Sequence, residues 1–213
     1  MSYGYIGDTS TSIKQQVKNA GVLSMDDVLD LEGKGQLGGS LELIAQQTFS
    51  GVQQIDFTNI PTDKYDVIVA HFQNVEHTDA NKFTFAQFYE SGTLEDQAVY
   101  QYAHQYFQAD GTDGSLKHTG NNYIYLTWSN HGTTAGDTNG CYTYFYDLGN
   151  ANRYSFASLQ DAFWDNGMLK GCFGGGCLPQ TSLVDGIRFG FNLASTNGTI
   201  TLYGVKQLWV VWD

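Results

Sequence analysis

The sequence predicts an all-β fold, and three observations support this class. More than ten short segments with strand-like patterning follow one another at intervals of ~8–15 residues, separated by turn-forming residues. No helical crossover of the kind that joins parallel strands is apparent. Of the 31 aromatic residues, only Tyr3 and Tyr5 precede residue 40. Together these features predict an antiparallel β-sandwich, jelly-roll-like in type, preceded by an arm that is poor in apolar mass.

The division near residue 40 predicts two parts, a docking arm at 1–40 and a β body at 41–213. Within the arm, Ser24 has the chemistry of a helix N-cap, Asp27 stands at N3, and Gly33 provides a left-handed stop. This helix has about two turns, below the ~12 residues at which isolated helices are even marginal in water. Its apolar side chains must therefore pack against something else. Residues 33–40 read as a flexible, glycine-rich linker.

The body is predicted to contain eleven strands, which differ in the strength of their signal. The segment 65–72 is nearly continuously apolar, as expected of a strand covered on both faces. The segment 153–164 is ambiguous in period, and a strand is favoured there. The predicted strands are 41–49, 52–57, 65–72, 83–89, 99–107, 122–128, 141–146, 153–164, 186–193, 199–203 and 207–212.

Turn chemistry separates these strands. The segment 110–114 carries carboxylates at its first and fourth positions, which does not fit a calcium loop and favours a hairpin turn. The segment 196–198, Thr-Asn-Gly, is a strong two-residue hairpin signal between the two strands that flank it.

Two strands place tyrosines at alternate positions and so present them on one face. Exposed tyrosine supplies large contact area at protein interfaces and can also stack on sugars. The same pattern is also expected of ordinary surface or core residues of a strand, because aromatic residues favour strands. This structural interpretation is preferred. The candidates for an interface or for glycan contact are Tyr100, Tyr102, Tyr106, Tyr142, Tyr144 and Tyr146.

The three cysteines, Cys141, Cys172 and Cys177, do not form a disulfide scaffold. The glycine-rich segment 172–177 could close a small loop through a disulfide between Cys172 and Cys177. Free thiols are favoured over that disulfide, and a zinc site lacks a second Cys/His pair at usable spacing.

Charge and motifs argue against several classes of function. A net charge of −12 with only two arginines leaves no basic cluster for nucleic acid or for an anionic membrane. The five histidines form no metal-binding spacing, and no nucleophile elbow or phosphate loop is present. The sequence therefore predicts a non-enzymatic protein without cofactor or metal. The first residues lack the pattern of a signal peptide, which predicts synthesis in a host cytoplasm without Sec-type export.

Several stretches together resemble a family of tailed-phage virion proteins common in marine phages. They span most of 41–205 and keep a common order and spacing. They are 41–44 with 47–48, 56–60, 65–67, 142–148 with 153–155, 184–189 and 198–204. The resemblance implies a jelly-roll-like virion component, commonly trimeric and docked to the particle by its N-terminus. It implies no catalytic residues, and the segment 172–177 departs from the family pattern.

The residues and the resemblance together predict a structural protein displayed on a phage particle, as a homotrimer anchored by residues 1–40. The virion is the predicted location, and the partners are capsid or tail proteins. The absence of shaft repeats favours a capsid decoration or head-fibre protein. The alternative is a tail-fibre or receptor-binding module that recognises host surface glycans. The predicted docking residues are Tyr3, Tyr5, Val22, Leu23, Met25, Val28 and Leu29.

Overall fold

The computed structural model describes residues 41–128, 139–165, 167–193 and 196–205. These residues form thirteen β-strands, and no α-helix occurs among them. Consequently, no helix in the described ranges is long and apolar enough to cross a membrane. The predicted docking arm at 1–40, with its seven apolar anchors and its helix, and the predicted strand at 207–212 lie outside the described residues.

The strands form two sheets, and ten pairings between neighbouring strands in them are antiparallel. The strands are β1 (Leu41–Val52), β2 (Gln54–Thr58), β3 (Val67–His77), β4 (Phe85–Glu90), β5 (Thr93–Leu94), β6 (Tyr100–Gln108), β7 (Asp113–Asn121), β8 (Ile124–Tyr125), β9 (Asn139–Tyr146), β10 (Ser155–Asp165), β11 (Met168–Leu178), β12 (Val184–Gly190) and β13 (Thr196–Val205). The long sheet has the order β1-β13-β3-β9-β10-β11-β6-β7, and the short sheet has the order β2-β12-β4-β5 with β8 beside β4. The all-β, antiparallel prediction is confirmed for the described residues.

One core lies between the inner faces of the two sheets. Phe72 on β3 and Phe145 on β9 belong to the long sheet, and both contact Phe189 on β12 of the short sheet, with ring centroids 5.1 Å and 6.1 Å apart. Phe88 on β4 meets Phe145 edge to face at 5.8 Å. All four rings are essentially inaccessible to solvent. Burying each phenylalanine contributes roughly 1.5–3 kcal/mol, so this cluster is a main source of stability.

Strands β9 and β10 of the long sheet alternate between buried and outward residues, as the strand period of two requires. In β10, inward residues such as Leu159 and Phe163 are buried, whereas Phe156 and Trp164 face outward and are exposed. This alternation confirms the predicted strand at 153–164. In β9, Phe145 points inward while Tyr142 and Tyr144 point outward.

Three strands were not predicted, one of them the two-residue β5 (Thr93–Leu94), and one predicted turn is wrong. The segment 168–178, expected in part to be a glycine-rich loop, is strand β11, and Asp113–Asn121 is strand β7. The turn at 110–111 is confirmed, since Asp110 accepts a hydrogen bond from the Thr112 amide at 2.8 Å. Residues 196–198 lie inside β13 at a register shift, not in a hairpin turn. The chain turns earlier, at Asn192 and Leu193, both with positive φ.

Candidate functional site

The outward side of four adjacent strands, β9, β10, β11 and β6, forms a surface that we call the aromatic face. Cross-strand partners align its residues in rungs, such as Tyr142–Gln160–Phe173–Gln105. The face consists of Gly140, Tyr142, Tyr144 and Tyr146 on β9; Phe156, Ser158, Gln160, Ala162 and Trp164 on β10; Leu169, Gly171, Phe173, Gly175 and Cys177 on β11; and Gln101, Ala103, Gln105 and Phe107 on β6. None of these residues, all within the described part of the chain, carries a charge.

The three tyrosines of β9 lie on this face as predicted, and their orientation is set by β10. The Tyr142 hydroxyl donates to Gln160 Oε1 at 2.6 Å, and the Tyr146 hydroxyl lies 2.9 Å from Ser158 Oγ. Ring centroids are 5.7 Å apart for Tyr142 and Tyr144 and 6.4 Å apart for Tyr144 and Tyr146. Since the hydroxyls of Tyr142 and Tyr146 already have protein partners, these side chains offer their ring surfaces to a binding partner.

Larger exposed side chains on β10 and β11 extend the face beyond the tyrosines. The exposed fraction is 44% for Phe156, 48% for Trp164, 47% for Leu169 and 53% for Phe173. Sequence reasoning did not single these residues out. The alternation in 155–164 could have indicated Phe156 and Trp164. No local sequence pattern indicates Phe173, because the glycines that follow it favour a loop.

The tyrosines of β6 point inward, and this corrects part of the prediction. Tyr100 is fully buried; its hydroxyl donates to the Glu95 carbonyl at 3.0 Å and accepts from the Phe88 amide at 2.8 Å. Burial raises the pKa of Tyr100. Its assignment as a contact residue is wrong, because no part of the side chain reaches solvent.

Tyr102 and Tyr106 share this inward direction and are partly buried. Tyr106 stacks on Trp128 with centroids 4.1 Å apart, and Tyr102 lies 5.0 Å from Tyr125. Both therefore pack within the body, and the outward face of β6 is formed by their neighbours in sequence.

The predicted alternative of a disulfide between Cys172 and Cys177 is wrong. Both residues lie on β11, and five positions along a strand separate their Cα atoms by roughly 16 Å, whereas a disulfide requires less than about 7 Å. Their odd separation also puts them on opposite faces. All three cysteines are free. Cys141 and Cys172 are buried, and burial raises the pKa of both thiols, so they stay protonated and unreactive.

The glycines between Cys172 and Cys177 are required by close strand packing. A Cβ on Gly175 would lie 2.6 Å from the Ala157 carbonyl oxygen, and one on Gly176 would lie 2.5 Å from Ile124 Cγ2. Because these glycines have no side chains, the aromatic face contains a groove of about 810 Å³ at this position. Its lining includes Ala103, Gly175, Phe156, Cys177 and, from the edge strand β7, Lys117.

Buried polar groups beneath the face do not assemble into a metal site. His104 lies inward on β6, and burial lowers its pKa to about 4. Neither of its ring nitrogens has a hydrogen-bond partner among the described residues. Within those ranges, no group of three or more His, Cys, Asp or Glu side chains is arranged to hold a metal ion.

Fold and surface together define the class: an all-β, two-sheet protein with an exposed, charge-free aromatic face. No protein-family model and no curated protein matches the chain. Among solved structures, a fructofuranosidase from Schwanniomyces occidentalis is similar at 7% identity and a TM-score of 0.18, over 80% of this chain and 35% of that one.

Two structures from infectious bursal disease virus are also similar, over 78% of this chain. The Gx strain structure is 9% identical with a TM-score of 0.12, and the VP2 subviral particle is 8% identical with a TM-score of 0.10. The chain spans 37% and 38% of those two chains. At these TM-scores, none of the three similarities carries an argument about fold or function.

Proposed function

We propose that the two sheets form a jelly-roll-like sandwich and that the chain is a non-enzymatic virion structural protein displayed on the surface of a phage particle. The observation that carries this proposal is the strand order. The orders β1-β13-β3-β9 in one sheet and β2-β12-β4-β5 in the other put β13, the last strand among the described residues, beside β1. Successive strands β1 to β4 alternate between the sheets, as do β12 and β13. Such Greek-key order is typical of jelly rolls.

The stretches that resemble phage virion proteins fall on this set of strands. They cover the start of β1, the end of β2, the start of β3, nearly all of β12 and most of β13. The segment 172–177, which departs from the family pattern, lies on β11, in a hairpin with β10 that is inserted between β9 and β12. The departure is therefore an addition to the long sheet and leaves the jelly-roll order intact.

In this proposal residues 1–40 dock to the particle and the β body is displayed, as a capsid decoration or head-fibre protein. The test uses the full-length chain with Met25→Asp, Val28→Asp and Leu29→Asp, because charges at these apolar anchors remove the docking contact. Lys34→Ser, in the predicted linker, is the matched control. We expect the triple variant to keep the circular dichroism spectrum of the β body but to be missing from purified virions, while the control co-purifies with them.

Copy number then places the protein on the particle. A decoration protein approaches capsid stoichiometry in quantitative mass spectrometry of virions, whereas a tail fibre is present in a few trimers. Retention of the triple variant on virions, or cleavage of polysaccharide by the purified chain, would contradict the proposal.

The second candidate is a receptor-binding module for host surface glycans, and the ladder of Tyr142, Tyr144 and the partly buried Tyr146 favours it. Aromatic rings held with their surfaces open to solvent can stack on sugars. A glycan array distinguishes the candidates. Binding that is lost in Tyr142→Ala and Tyr144→Ala favours the receptor module, and no binding favours the purely structural role.

A further inference from the structure

We propose that the aromatic face is a self-association surface, and that its partner is the same face of a second copy of this chain. This inference does not rest on the virion proposal, since it concerns only what the outward side of β9, β10, β11 and β6 contacts. The inner side of these strands is already covered by the core, where Phe145, Leu159 and Cys172 are buried.

Size is the first argument. Outward residues are about 6.8 Å apart along a strand and strands are about 4.8 Å apart, so the roughly 18 positions of the face project to about 600 Å². The protruding rings of Trp164 and Phe173 raise the accessible area above this projection. The result approaches the ≈ 800 Å² per partner of a standard protein interface.

Charge is the second argument, and it indicates that the partner on this face is a second copy of the chain. The chain has a net charge of −12, so two copies repel each other at most orientations. The aromatic face has no charged residue, and the outward charges Lys117 and Asp113 lie beside its edge on β7. Two like-charged copies can therefore come into contact here without placing like charges opposite each other. Depletion of charge with enrichment of Tyr, Trp and Phe is the composition of interface centres.

Shape is the third argument, because the face contains both a projection and a recess. Phe173, Trp164 and Leu169 project at the middle and at one end, each about half exposed. At the other end is the groove over Ala103 and Gly175. A surface that carries both complementary parts can associate with a copy of itself. In such a pair, the projecting rings of each copy fill the groove of its partner.

The experiment is sedimentation velocity of the full-length chain over a range of micromolar concentrations. We expect a concentration-dependent dimer, and a dissociation constant raised at least about 30-fold by Phe173→Asp, which puts a buried negative charge into the contact. Ala103→Arg, which fills the groove, is expected to have the same effect. Gln73→Asp, at an exposed position on β3 outside the face, is the matched control and leaves assembly unchanged.

Circular dichroism and thermal unfolding verify that each variant is folded, and Phe173→Ser replaces the aspartate variant if that one misfolds. A chain that is monomeric at all concentrations overturns the proposal. So does an oligomer that both face variants leave intact. A monomer that binds glycans through Phe173 also overturns it and assigns the face to a sugar instead.

Discussion

The long sheet has two outward surfaces that differ in every respect except the core beneath them. On β1, β13 and β3 the outward side, the polar face, is held by hydrogen bonds between side chains of neighbouring strands. Gln46 Nε2 donates to Thr201 Oγ1 at 2.9 Å, and the hydroxyls of Thr48 and Thr199 are 2.9 Å apart. On the aromatic face, rings and glycines predominate, although Tyr142 and Tyr146 also form side-chain hydrogen bonds with β10.

The inner sides of the two regions are alike. Phe72 and Ile200 lie under the polar face, and Phe145 and Leu159 lie under the aromatic face, all of them buried. The folding energy thus comes from the shared interior, and the outward residues can differ without changing the sheet. The aromatic face therefore reflects a requirement other than the stability of the monomer, since threonine and glutamine are sufficient for a stable sheet on the polar face.

The largest effect is expected where the strand under the aromatic face has no room for a side chain. In Gly174→Ala, the new Cβ would overlap the Ala103 carbonyl oxygen on β6, so β11 and β6 must separate. We expect a loss of about 3 kcal/mol in the free energy of unfolding, measured with urea.

Gly140→Ala is the matched control for that substitution. Gly140 lies on β9 with open space around its Cβ position, so we expect a change within about 0.5 kcal/mol. Equal losses in the two variants would show that β11 is no more closely packed than β9.

An intermediate effect is expected from pH, through the histidine buried beneath the aromatic face. In the unfolded chain the pKa of His104 is near 6.5, and in the folded chain burial lowers it to about 4. Between these values the unfolded state binds a proton that the folded state does not. Stability is therefore complete above about pH 6.5 and falls by about 3 kcal/mol as the pH drops towards 4.

The measurement is urea unfolding of the parent chain and of His104→Leu at several pH values. We expect the variant to lose the part of the pH slope between 6.5 and 4 that His104 contributes. His118→Leu, at an exposed position on β7, is the control and keeps the parent slope. Identical slopes in the parent and in His104→Leu would rule out this role of the buried ring.

The smallest effect is expected on the polar face. Thr199→Val removes the hydroxyl that meets Thr48, but water can replace the lost partner because this hydrogen bond is exposed. The cost is expected to stay below about 0.5 kcal/mol in urea unfolding, with no change in sedimentation. A change in oligomeric state in this variant would mean that the polar face also takes part in association.

Local patterns predicted most strands correctly, because alternation and turn formation depend on neighbouring residues. The predictions failed where the structure depends on contacts between residues far apart in the sequence. The glycines of 174–176 look like a loop, yet they permit β11 to pack closely between β6 and β10. The segment 196–198 has hairpin chemistry but lies within β13, where pairing with β3 accommodates it as a register shift.

The two tyrosine series illustrate the same limit. Tyr100, Tyr102 and Tyr106 share the alternate spacing of Tyr142, Tyr144 and Tyr146, and the sequence could not distinguish them. In the fold, Tyr100 is fully buried beside Phe88, whereas Tyr142 is 41% exposed. Which side of a strand faces the core depends on the register of its pairing and on the opposite sheet, and a shift of one residue would exchange the two sides.

Composition and short-range periodicity were enough to predict an all-β chain with antiparallel strands and an aromatic body. Only the tertiary structure decided that β10 and β11 join β9 and β6 in one sheet, and that their outward residues form a continuous, charge-free face. The physical reason is that a surface is built from residues far apart in the chain, brought together by strand pairing that no local pattern records.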